Sequence, residues 1–133
     1  MWLDGTNRIN VENNNILNQK KMSVNKVILL GHVGMDPKMR YPEKGVSIAS
    51  FSLATNEHQS EMNIDRVEWH NIVMTGRNAE IAERYIKKGT LLYIEGKLRS
   101  RVWEDKIGIK RNITEIYVDY FELLGRKIDG QNN

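Results

Sequence analysis

Between Val24 and Gly125 the chain alternates apolar with polar positions in short runs, and turn-forming residues break those runs. "VNKVILLGHVG" reads as a first strand with a glycine-broken end. "MDPKMRYPEKG" follows with the turn signals Asp-Pro and Lys-Gly. "VSIASFSLAT" alternates small with large residues as a second strand, and "HQSEMNID" reads as a polar loop. "RVEWHNIVMTG" makes a third strand. The period then changes: in "RNAEIAERYIKKG", Ile81, Ala82, Tyr85 and Ile86 form a helical stripe. Asn78 is the expected cap, Glu80 and Glu83 precede Arg84, Lys87 and Lys88 as the helix dipole favours, and Gly89 is the expected left-handed stop. "TLLYIEGKLRSRVWE" returns to period two as a fourth strand, "DKIGIK" is turn-like, and "RNITEIYVDYFELLG" is a fifth.

That order, three strands, one helix and two strands, predicts an all-β fold. It matches the five-stranded OB barrel with one α-helix between strands 3 and 4. Oligonucleotides cross such a barrel over strands two and three and the loops joining strands one to two and four to five. Single glycines at Gly31, Gly34 and Gly96 suit the bends of a small barrel. Residues 1–22, rich in Asn, read as a disordered leader, with Met22 a candidate alternative start. Residues 23–125 are the expected domain and 126–133 a short polar tail.

Composition narrows the chemistry. With 133 residues and 40% hydrophobic content the chain has one domain's worth of core, and without cysteine it has neither disulfides nor thiolate ligands. No apolar run approaches the roughly 18–20 residues of a membrane span. A net charge of +3 says little, but its distribution is uneven. Residues 97–111 hold six cations and two acids, which leaves the rest of the chain at −1. A polyanion is the obvious partner for that segment.

Catalysis has no visible support. His32, His58 and His70 lie on three separate elements without metal-ligand spacing, and no nucleophile elbow, Walker loop or dinucleotide fingerprint occurs. We therefore expect no enzyme activity, cofactor or metal. The chain does carry what single-stranded nucleic acid requires, cations for phosphates and flat rings for unpaired bases. In "KLRSRVW", Lys97, Arg99, Arg101 and Trp103 share one face of a strand. In the third strand Val67, Trp69, Asn71, Val73 and Thr75 share a face opposite His70, Ile72 and Met74. Alternation alone leaves open which side fills the barrel.

Five collinear phrases, "VNKVILLGHVGMDPKMRY", "SLAT", "EWHNIV", "YIKKGTLLYIEGKLRSRVW" and "RNITEIYV", carry a resemblance. Over about residues 23–124 the chain resembles the bacterial and mitochondrial single-stranded DNA-binding proteins. The resemblance implies an OB fold, a homotetramer, and sequence-independent binding of single-stranded DNA in replication, recombination and repair in a bacterial cytoplasm. It implies stacking by Trp69 and Trp103 and phosphate contacts from Arg99 and Arg101. Arg111, Lys26, Arg77 and Lys88 fall at further cationic positions. His70 matches a histidine associated with the subunit interface, and Tyr93 falls on a strand placed near one.

Three departures accompany the match. Asn56-Glu57-His58-Gln59 has no ring where family members often carry a tryptophan, and Thr75 stands where a phenylalanine is usual. The loop between strands two and three reads as shorter. Weaker stacking per subunit and a smaller occluded site are expected. The sequence ends at "DGQNN" without the family's acidic tip, as a truncated or short variant would, so recruitment of replication and repair proteins is not assumed. The nearest alternative is a dimeric OB-fold replication-restart accessory protein.

Overall fold

The computed structural model describes residues 22–126; the leader and tail readings fall outside them, apart from Met22 and the backbone of Arg126. The element order is β1 (Val27–Val33), β2 (Lys38–Arg40), β3 (Ile48–Gln59), β4 (Ile64–Thr75), α1 (Gly76–Tyr85), β5 (Thr90–Glu104) and β6 (Lys110–Arg126). Five long strands close on themselves: β1 pairs with β5, β5 with β6, β6 with β4, β4 with β3, and β3 again with β1. All these pairings are antiparallel except β4 with β6. This is the expected all-β barrel with one helix between its third and fourth long strands. The three-residue β2, read from sequence as turn, adds an edge to β3.

Period-two patterning explains the closure. Ala49, Phe51 and Leu53 of β3 point inward, as do Leu92 and Ile94 of β5, and Ile72, Met74 and Ile116 join them in the core, with Ala79, Ala82 and Ile86 packed in from the helical segment. Full burial of each large apolar side chain stabilises by about 1.5–3 kcal/mol. Gly31 and Gly96 lie where strands approach too closely for any side chain. A Cβ on Gly31 would sit 2.1 Å from the Ala54 carbonyl oxygen, and one on Gly96 2.2 Å from that of Tyr117. Gly96 also adjoins the β5–β6 register shift, so a bend and a close crossing coincide there.

Four local expectations are corrected. The helix begins at Gly76, with Thr75 at the N-cap and no side-chain cap bond, so Asn78 lies within the helix. The acids expected early fall outside its first turn. The helix ends at Tyr85 with Ile86 at the C-cap, so Gly89, although at φ 93°, turns the linker into β5. The predicted loop "HQSEMNID" is half strand, because His58 and Gln59 end β3 while Ile64 and Asp65 begin β4. Twelve consecutive cross-strand partners extend that hairpin past the barrel wall, leaving only Ser60–Asn63 as its turn. Two hairpins thus project, one from β3–β4 and one from β5–β6.

Candidate nucleic-acid interface

Outward positions of five strands join into one surface. Lys38 and Arg40 of β2 pair with Ser50 and Ile48 of β3. Ser50, Ser52 and Ala54 oppose Val73, Asn71 and Trp69 of β4. Val73 aligns with Tyr117 of β6, and Tyr117 with Lys97 of β5. Paired residues in a ladder share a face, so small side chains floor a groove that cations border on both sides. Asn71 ties floor to wall by donating its Nδ2–H to the Thr114 carbonyl at 3.3 Å.

Trp69 stands on this outer surface, 60% exposed. The burial of Ile72 and Met74 decides the question that alternation left open, since the residues on their face fill the barrel. The indole lies across Gly34: a Cβ there would meet Trp69 Cζ3 at 2.3 Å and Ser52 Oγ at 2.9 Å. Trp103, 42% exposed, sits on the β5–β6 hairpin opposite Arg111. Thr75, in place of the expected ring, lines a recess together with Tyr117.

The cations are held in different ways. Arg99 lies over the Tyr117 ring, its guanidinium carbon 4.8 Å from the centroid, and makes no ion pair among the described residues. Arg101 grips Glu115 with two hydrogen bonds, Nε–H to Oε1 at 2.9 Å and Nη2–H to Oε2 at 3.2 Å. These bonds hold the guanidinium's pKa above its already high value. Lys97 Nζ is 3.8 Å from Asp119. Arg111 Nε–H donates to Asp105 at 3.0 Å. The Ile109 amide, then Arg111 and the Ile107 amide, hold the Asp105 carboxyl below its usual range.

Trp69, Lys97, Arg99, Arg101, Trp103 and Arg111 therefore follow the groove and the hairpin beyond it. Lys88 approaches the Gly34 edge, where its amide donates to Asp36 Oδ1 at 2.8 Å. Arg77 lies on α1 beside Glu80 and Arg84. Lys26 sits on a different face, paired with Glu95 at 3.1 Å. Sequence reasoning missed Lys38, Arg40 and Tyr117. The alternation of "KMR" around a half-buried Met39 is a signal for the first two, while Tyr117 becomes part of the groove only through its pairing with β4.

The face around Lys26 has another character. Ile28 and Leu30 of β1 are exposed opposite Glu95 and Tyr93 of β5, and Tyr120 meets Tyr93 edge to face at 6.3 Å between centroids. The Tyr93 hydroxyl donates to Glu95 and the Tyr120 hydroxyl to Glu122. Those bonds raise both phenol pKa values, and the Tyr93 bond followed by Lys26 lowers that of Glu95. His70, half-buried at the root of the β3–β4 hairpin, shares a 2.9 Å hydrogen bond with Thr55 Oγ1. Among the described residues no group of three or more histidines and acids gathers to hold a metal, and no helix is long and apolar enough to cross a membrane.

Known proteins match this arrangement. The model of the single-strand binding protein family covers residues 24–124. A single-stranded DNA-binding protein from Bacteroides thetaiotaomicron is 48% identical over 80% of this chain and 69% of its own length. One from Neisseria meningitidis is 45% identical over 78% of this chain and 62% of its own length. A solved Plasmodium falciparum SSB in complex with single-stranded DNA superposes with a TM-score of 0.69 at 33% identity. It covers 79% of this chain and 96% of its own. With nearly the whole barrel inside the family match, the chain belongs to the single-strand binding protein family.

Proposed function

We propose that this protein is a non-catalytic, sequence-independent binder of single-stranded DNA serving replication, recombination and repair in a bacterial cytoplasm. The observation that carries this reading is Trp69, open on the edge of a groove whose walls carry Lys38 and Arg40 on one side and Lys97, Arg99 and Arg101 on the other. Bases stack on Trp69 and Trp103, each ring worth about 1–3 kcal/mol per base. Arg99 and the hairpin cations follow the phosphates, so binding weakens steeply with salt. Arg77 and Lys88 extend the path at its ends.

Lys26 is assigned instead to a contact between subunits, because its partner Glu95 lies with Tyr93 among exposed Ile28, Leu30 and Tyr120. Apolar and tyrosine-rich surface of this kind suits self-association, and a homotetramer is the state we propose, with His70 packed near a second contact. Mass measurement in solution separates a tetramer from the dimer of a replication-restart accessory protein.

The test of the main reading is a titration of tryptophan fluorescence with poly(dT), followed by competition with poly(rU). Quenching that poly(rU) reverses only at large excess is the expected result. Equal competition would make the protein a general single-strand or RNA binder, and absence of any quench would remove DNA binding.

A further inference from the structure

Arg101 and Glu115 form the wall between two recesses of the groove. One, of ≈ 180 Å³, is bounded by Arg40, Ile48, Val73, Thr75 and Tyr117. The other, of ≈ 220 Å³, is bounded by Met35, Lys38, Phe51, Asn71 and Ile113. Arg101, Glu115 and Ser50 line both. The Glu115 side chain is only 7% exposed, whereas that of Arg101 is 50% exposed. Removing the partner of a buried carboxylate is strongly unfavourable, so a phosphate cannot draw Arg101 away without leaving Glu115 charged and unpaired. The pair is electrically neutral as a unit and has little net charge to offer a backbone. What it does offer is a flat guanidinium held by two bonds in a fixed plane, and guanidinium planes stack on bases.

We propose that the Arg101–Glu115 pair is a planar septum between two nucleobase subsites rather than a phosphate contact. Glu115 is then a positioning residue, acting through the plane it imposes on Arg101. The septum also places a stacking surface close to Thr75, where this chain lacks a ring. The inference rests on the DNA-binding reading and refines where bases and phosphates lie within it.

The experiment compares oligo(dT) affinity and its salt dependence for the wild-type chain, Arg101→Lys and the double variant Arg101→Gln/Glu115→Gln. Circular dichroism establishes that each is folded. Lysine keeps the charge but loses the plane, so Arg101→Lys is expected to weaken binding about tenfold, a loss within the stacking range, with an unchanged salt slope. The double variant replaces the pair by two planar neutral amides that can still hydrogen-bond. It removes the guanidinium plane without changing the net charge of the pair, so affinity is expected to fall about tenfold, as in Arg101→Lys, at the wild-type salt slope. Full affinity in Arg101→Lys, or a slope flattened by about 0.7 in the double variant, returns Arg101 to phosphate contact and overturns the septum. A wild-type chain that ignores oligo(dT) sinks the DNA reading itself, whereas tight wild-type binding with the wrong variant pattern sinks the septum alone.

Discussion

The two hairpins that leave the barrel are built alike and charged oppositely. In the β3–β4 hairpin, Asn56–Val67 carries three acids and one arginine, a net of −2 with His58 neutral. In the β5–β6 hairpin, Leu98–Ile113 carries five cations and two acids, a net of +3. Both are antiparallel ladders running past the closed barrel, and both expose apolar residues, Met62 and Val67 on one, Val102 and Ile107 on the other. Ladder geometry therefore says nothing about which hairpin meets DNA. On the proposed reading charge picks out the second, which also keeps unpaired cations. His58 Nδ1 and Asp65 Oδ1 pair at 2.6 Å across the first hairpin, while the second leaves Lys106 and Lys110 without ion pairs among the described residues.

The sharpest way to break this contrast is charge reversal. Lys106→Glu/Lys110→Glu changes four unit charges. At roughly 4 Å from phosphate in high dielectric that amounts to about 4 kcal/mol of lost affinity at low salt. Reversing Glu57 and Glu61 to lysine on the other hairpin is expected to change affinity by less than about 1 kcal/mol, because exposed charges away from the path are screened. Fluorescence titration at several salt concentrations measures both, and responses of equal size would mean that DNA runs over both hairpins.

Stacking comes next in size. Trp69→Ala and Trp103→Ala are each expected to cost about 1–3 kcal/mol in oligo(dT) binding and to reduce the quench. An undiminished quench in either variant takes that ring out of the site. A smaller, more pointed effect is expected from Gly34→Ala. The new methyl pushes the Trp69 ring without deleting it, so affinity falls by only part of the Trp69→Ala loss, on the order of 1 kcal/mol. If the two variants bind identically, the position of the ring across Gly34 is irrelevant to binding.

The mildest expectation concerns the turn of the basic hairpin. Asp105 accepts from the Ile107 and Ile109 amides at 3.1 and 2.9 Å and from Arg111, and its carboxyl titrates below its unfolded value. A depressed folded pKa contributes stability that is present above the unfolded value of about 3.9 and is lost as pH falls through the folded one. Asp105→Asn should lower the melting temperature slightly at neutral pH, and the difference should shrink in acid. A difference independent of pH would assign the effect to the turn's amide bonds alone.

Much of the fold was legible because alternation and period are local. Ala49-Ser50-Phe51-Ser52-Leu53 alternates as a half-buried strand, and Ile81, Ala82 and Tyr85 carry the helical period, with Ile86 just past the helix end. The boundaries were less legible. The polar "HQSEMNID" carries no burial signal, since its pairing is satisfied on a hairpin with water on both sides. Of the site, the row Lys97, Arg99, Arg101 and Trp103 stood out through its spacing, and Trp69 through the family resemblance.

By itself the sequence determined the order of strands and helix, the family and the basic row, because each depends on residues close along the chain. Tertiary structure alone decided what Arg101, Lys26 and Arg99 meet. Arg101 meets Glu115 through β5–β6 register, Lys26 meets Glu95 through β1–β5, and Arg99 lies over Tyr117. Register is set by how the barrel closes around its core, and a slip of one residue would turn every one of these side chains to the other face.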